Sequence, residues 1–108
     1  MKLTDYTTIN GISLTKTEFN LLEKLDIKYG LIVNPHDTTA INMCSGSKFT
    51  VSPLSAALVK FLNEAYRTYA LDGTQMHFNG NTVAVGIFDR VKYLLMKLDI
   101  DTYSNTID

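Results

Sequence analysis

SPLSAALVKFLNEAYRTYALDGTQMHFNGNTVAVGIFDRVKYLLMKL, residues 52–98, decides the fold. Ser52-Pro53 opens a helix: the serine hydroxyl suits the cap, and proline suits the first position, where a missing N–H goes unnoticed. Asp72-Gly73 ends it. Leu54, Leu58, Phe61, Leu62, Ala65 and Tyr69 share one face, which Ala56, Val59, Tyr66 and Ala70 widen. A helix apolar over that much of its girth is central in a fold or buried on two sides. Lys60, Asn63, Glu64, Arg67 and Thr68 form a polar stripe opposite, read as exposed, where Glu64 has Arg67 and Lys60 as neighbours for an ion pair. Asn79-Gly80 then turns a hairpin between Met76-His77-Phe78 and Thr82–Val85, because both residues tolerate positive φ. Gly86 is expected to cap a last helix with Asp89 in its first turn, and Phe88, Val91, Leu94, Leu95 and Leu98 give that helix its core face.

Upstream, Thr15-Lys16-Thr17-Glu18 matches a capping box, flanked by Leu14 and Phe19 as a hydrophobic staple. Phe19, Leu22, Leu25 and Tyr29 follow at helical spacing and Gly30 stops the run, predicting a helix over Lys16–Tyr29. Leu31-Ile32-Val33 is prone to strand and ends at Asn34-Pro35. Ala40–Met43 and Lys48–Val51 are expected as strands around a Cys44–Ser47 turn. Asn10-Gly11 is either a hairpin turn between Tyr6–Ile9 and Ile12–Leu14 or one turn of an N-terminal loop. The polar end, Asp99–Asp108, adds one irregular turn at Asp101. The whole predicts a single α+β domain over 1–108, with three principal helices packed on a small antiparallel sheet built from hairpins.

Composition narrows the function classes. The chain has 108 residues, 45% of them hydrophobic, enough for one core and too few for two. Ten basic and eleven acidic residues are scattered, and Arg67 and Arg90 are the two arginines. Nucleic-acid binding wants several cations meeting phosphates together, so it is not expected. No apolar run approaches a membrane span, and the start, MKLTDYTTING, lacks the apolar block of a signal peptide. A cytoplasmic protein without a membrane partner is the expectation. Cys44 is the single cysteine, which rules out an internal disulfide and a cysteine-cage metal site.

Three constellations bear on chemistry. His36, Asp37 and Cys44, with Ser45 and Ser47 nearby, hold the residue types of a cysteine nucleophile with its base, but at no recognisable spacing. An ordinary small hydrophobe accounts for the cysteine as well. His36, His77 and Cys44 lack metal-ligand spacing, so no metal or other cofactor is expected. Ser45-Gly46-Ser47-Lys48, with His36 and the first amides of the Ser52 helix, is a candidate anion or nucleotide site over residues 34–52. It lacks the glycine and Lys-Ser/Thr order of a P-loop, and a plain hairpin turn explains it too.

The aromatic usage points elsewhere. Six tyrosines and five phenylalanines stand against no tryptophan. Tyr66, Tyr69 and Tyr93 fall at the borders of apolar faces, where a ring is buried and a polar tip stays wet. Half-buried tyrosines are common in small domains, but the Ser52 helix carries more apolar surface than one layer covers. Tyr66, Arg67, Tyr93 and Met96 are therefore the candidate partner-binding residues, on a chain expected to self-associate.

Phe88-Asp89-Arg90-Val91-Lys92-Tyr93-Leu94-Leu95-Met96-Lys97-Leu98-Asp99, with the Ser52-Pro53-Leu54 start and the Asn79-Gly80 hairpin before it, resembles segments of small uncharacterised accessory proteins of tailed bacteriophages. The likeness covers about the last half of the chain and carries no chemical signature. It implies a non-enzymatic factor in the bacterial cytoplasm that binds and inhibits or modulates a host or defence protein.

Overall fold

Thr15 begins the first helix as a full capping box. Its hydroxyl accepts from the Glu18 N–H at 3.2 Å, and the Glu18 carboxylate accepts from the Thr15 N–H at 2.8 Å. The computed structural model describes residues 14–42 and 45–107, with side chains in 14–42 and 45–98. The expected Asn10-Gly11 turn lies outside the described residues, as do Met43 and Cys44. Helix α1 is Lys16–Tyr29. It stops at Gly30, whose φ of 67° is the left-handed conformation that a side chain disfavours. The Gly30 and Leu31 N–H groups turn back onto the Asp26 and Leu25 carbonyls, both at 3.1 Å.

Leu31–Val33 forms no strand. Leu31 and Val33 are buried while Ile32 is 83% exposed, so the alternation is real. The segment nonetheless stays irregular. Strands β1 (Thr39–Ile41) and β2 (Lys48–Thr50) then form an antiparallel ribbon with Ala40 opposite Phe49.

Helix α2 is Pro53–Asp72, with Ser52 as N-cap and Gly73 closing it at φ 81°. It is the centre of the molecule: the second ribbon, the last helix and β1 all pack on it. Strands β3 (Met76–Phe78) and β4 (Asn81–Val83) form that second ribbon through Asn79 and Gly80, at φ 50° and 79°. Two positive φ values in a two-residue loop match the twist of the strands.

Helix α3 is Val85–Ile107. It begins two residues before Ile87, so Gly86 lies inside it and Asp89 falls beyond its first turn. The Ala84 carbonyl takes the first N–H groups, from Ile87 at 3.0 Å and Phe88 at 3.1 Å. It also continues through the polar end, where a single irregular turn was expected.

The architecture is α+β, as predicted, but among the described residues the hairpins remain two separate two-stranded sheets. Buried side chains of α1, α2, α3 and the two ribbons form one cluster. Its hinge is aromatic. Phe61 meets Tyr29 edge-on at 5.6 Å and Phe78 at 4.8 Å, joining α1, α2 and β3. The Tyr29 hydroxyl donates to the Thr82 carbonyl at 3.3 Å, so the buried ring keeps its polar tip satisfied. The Asn79 side-chain amide donates to the Tyr29 carbonyl at 2.9 Å and ties the second turn to the end of α1.

Candidate functional site

The apolar girth of α2 is enclosed. Leu54, Ser55, Ala56, Ala57, Leu58, Val59, Phe61, Leu62 and Ala65 are all buried. The expected surplus over residues 54–65 is absent, because ribbons and helices pack around that stretch on several sides. Exposure starts in the last two turns: Tyr66 is 50% exposed, Tyr69 46% and Leu71 80%. Tyr69 shares the angular position of Leu58 and Leu62, yet it sits beyond the deepest layer of the core.

The polar stripe of α2 is less free than expected. Lys60 makes an ion pair with Asp37. The Asn63 amide donates to the Ile41 carbonyl at 2.8 Å. The Thr68 hydroxyl accepts from the His77 N–H at 2.8 Å. Three of the five stripe residues thus anchor the two ribbons to α2, the first ribbon by two of them. Glu64 gets neither of its expected helix neighbours as an ion pair; Lys60 turns to Asp37 instead.

Two open grooves flank these elements. One, of about 520 Å³, lies between β1 and α2, with Ile41 and Val59 beneath and Lys60, Glu64 and Arg67 at its edge. The other, of about 280 Å³, lies between the start of α1 and α3, lined by Glu18, Leu21, Arg90, Tyr93 and Leu94. Arg67 belongs to the first and Tyr93, 74% exposed, to the second. Tyr66 and Arg67 are neighbours on α2; Tyr93 and half-buried Met96 are one turn apart on α3. The four candidate residues are thus two pairs on two helices.

The candidate anion site is differently placed. His36 sits in the turn before β1, its N–H donating to the Asn34 side chain at 3.0 Å. Ser45 and Ser47 sit in the turn after β1, and Lys48 begins β2. His36 and the serines thus occupy opposite ends of the ribbon, roughly 10 Å apart along an extended strand. The serine turn also uses its own donors. Asn42 accepts from the Gly46 N–H through its backbone carbonyl at 2.7 Å, and from the Ser45 N–H through its side chain at 3.4 Å. The Ser47 N–H and hydroxyl both contact the Ser45 hydroxyl. At the start of α2, Pro53 has no N–H, and the Ser55 N–H is taken by Ser52 at 3.2 Å. The Ser45, Gly46, Ser47 and Ser55 N–H groups are thus already engaged within the chain.

Two carboxylates are electrostatically tuned, both for structure. Asp37 is held below the usual carboxylate range by the Lys60 ammonium first, then by the Thr39 N–H. Glu18 is lowered by Lys97, which lies 2.7 Å away, and then by the Thr15 N–H. Asp37 is therefore spoken for, and the proposed His36-Asp37-Cys44 grouping has its middle member turned to Lys60. Among the described residues, no three His, Cys, Asp or Glu side chains come together as a metal would need. Among them, too, no helix is long and apolar enough to cross a membrane.

Several exposed apolar residues were not singled out from sequence: Ile27, Ile32, Leu71 and Val85. Leu71 carried a readable signal, since it falls off the core stripe of its own helix. Ile32 carried none until its neighbours were placed. No protein-family model, no curated protein and no solved structure matches this chain.

Proposed function

We propose that this protein acts by binding another protein, without catalysis, and that it inhibits or modulates its partner by covering part of its surface. The observation that carries the reading is the display of large side chains on ordered helices: Tyr66 and Leu71 on α2, Tyr93 on α3. Tyrosine and arginine over an apolar floor are the residue types that dominate binding energy at protein interfaces. Arg67 with Ile41 and Val59 supplies the arginine and the apolar floor in the groove between β1 and α2, and exposed Tyr66 precedes it on the helix. The partner in this reading is a bacterial host or defence factor, the class that the likeness to phage accessory proteins implies.

The test is a pull-down from bacterial lysate with the wild-type chain and a Tyr66→Ala/Arg67→Ala variant run side by side. The expected result is a protein retained by the first and lost by the second, with both far-ultraviolet circular-dichroism spectra alike. Equal retention by both sinks the assignment of this surface.

A further inference from the structure

The outward stripe of α2 carries charge and apolar surface in an order that complements itself. Lys60, Glu64, Arg67 and Leu71 are all exposed, Leu71 by 80%. At about 100° per residue the four fall within about 60° of one another around the helix. Their steps along the chain are 4, 3 and 4. That is the a/d spacing by which two helices pair along a seam. The stripe runs for about 16 Å of helix axis, at about 1.5 Å per residue. Its steps read the same from either end, so an antiparallel copy keeps register at all four positions.

The groove between β1 and α2 runs beside the first three of these residues. Lys60, Glu64 and Arg67 line it, and Ile41 and Val59 form its floor, with Ile41 47% exposed. Leu71 stands one turn beyond Arg67, outside the groove. Lys60 turns its ammonium to Asp37. A lysine held by its head group offers its methylene stem as apolar surface. Glu64 and Arg67 differ from Lys60: among the described residues neither makes an ion pair, with each other or with any third group.

Charge selects the occupant. A two-fold axis midway between Glu64 and Arg67 sets Glu64 of each copy against Arg67 of the other. The same axis brings Leu71 of each copy level with Lys60 of the other, where the groove has its apolar floor. A parallel pair would put glutamate on glutamate and arginine on arginine. A partner of uniform charge would gain at one of these two residues and lose at the other; a second copy satisfies both. The two-fold pair uses the same patch on both copies, as in most homodimers.

We infer that the isolated protein forms a homodimer by antiparallel pairing of the exposed stripe of α2, with Glu64–Arg67 contacts at its centre and Leu71 of each copy seated in the groove beside Ile41 of the other. The inference rests on the reading of this groove as a contact surface. It names a second copy as the occupant when no other protein is present.

Sedimentation velocity on the purified full chain tests it, and no lysate partner is involved, so its failure and that of the pull-down are separate results. From about 1 µM to about 1 mM, spanning the range of modest affinities, the mass should rise from 12.1 kDa towards twice that value. Glu64→Arg and Arg67→Glu should each stay monomeric alone, because both central contacts become like on like, and should dimerise when mixed. The doubly exchanged Glu64→Arg/Arg67→Glu chain should dimerise by itself. Leu71→Lys should remove the rise. All three positions are exposed, so every variant should keep the wild-type circular-dichroism spectrum. A wild-type monomer at every concentration overturns the inference, and so does a dimer indifferent to the single exchanges or to Leu71→Lys. A doubly exchanged chain that is folded but monomeric overturns the antiparallel register.

Discussion

Truncating Phe61 to alanine removes the ring that joins three elements. Phe61 is fully buried and touches Tyr29 of α1 and Phe78 of β3. The loss has three sources. The transfer free energy of the ring is about 1.5–3 kcal/mol. Each aromatic pair adds about 0.5–1.5 kcal/mol. A cavity is left that neighbouring helices refill only in part. The sum falls at the usual cost of such a change, about 3–5 kcal/mol. Natural domains have only about 5–15 kcal/mol of stability, so Phe61→Ala should lose a large share of it. At about 4–8 °C per kcal/mol, the melting temperature should drop by roughly 12–40 °C. Urea denaturation followed by circular dichroism measures the free energy directly, and an unchanged slope with denaturant confirms that the same transition is being compared. A double-mutant cycle with Phe78→Ala should return a coupling of about 0.5–1.5 kcal/mol. Tyr93→Ala, at an exposed site, is the control and should stay within about 0.5 kcal/mol of wild type. If Phe61→Ala costs under about 1 kcal/mol, the aromatic junction is not where the core is held and the packing argument fails.

Other predictions concern charge, backbone and the serine turn. Glu18 and Asp37 are both lowered by lysines, so their stabilisation is complete above the ordinary carboxyl values of about 4.3 and 3.9 and disappears as pH falls through the lower folded values. Melting curves of wild type and a Glu18→Gln/Asp37→Asn variant should therefore differ slightly at pH 6 and converge at the acid end; parallel curves across the range would refute the pairing. Gly86→Ala should stabilise α3 by about 0.5 kcal/mol, since open space surrounds the added methyl, whereas Gly30→Ala should cost about 1 kcal/mol because its φ is 67°. Chemical denaturation of both variants gives the two signs. Asn42→Ala removes the side-chain acceptor for the Ser45 N–H and should lower stability by about 1 kcal/mol. A thermal-shift panel of mononucleotides and inorganic phosphate should leave the wild-type melting temperature in place; a clear rise would return the 34–52 segment to consideration as a ligand site.

What was readable in advance is what neighbouring residues decide among themselves. Thr15 with Glu18, Ser52 with Pro53, Gly30, Gly73 and the Asn79-Gly80 turn each set a local backbone geometry, and the structure places each as read. The bounds of α1 and α2 follow from them. The start of α3 was misread because Ala84 has no capping side chain to announce it; the Ala84 carbonyl is acceptor enough, and Gly86 joined the helix. Leu31–Val33 has strand composition yet stays irregular, because composition alone does not make a strand.

The candidate site divides along the same line. That Tyr93 and Met96 stand one turn apart on a helix follows from spacing and from α-helical geometry. That the apolar side of α2 is sheathed from Leu54 to Ala65, that Lys60, Asn63 and Thr68 bond to Asp37, Ile41 and His77, and that His36 and Ser45 lie at opposite ends of β1 were settled only when the chain closed on itself. Periodicity tells which residues share a face, because that depends on one element. It says nothing of how much of the face another element will cover, because burial is decided between elements distant in the chain.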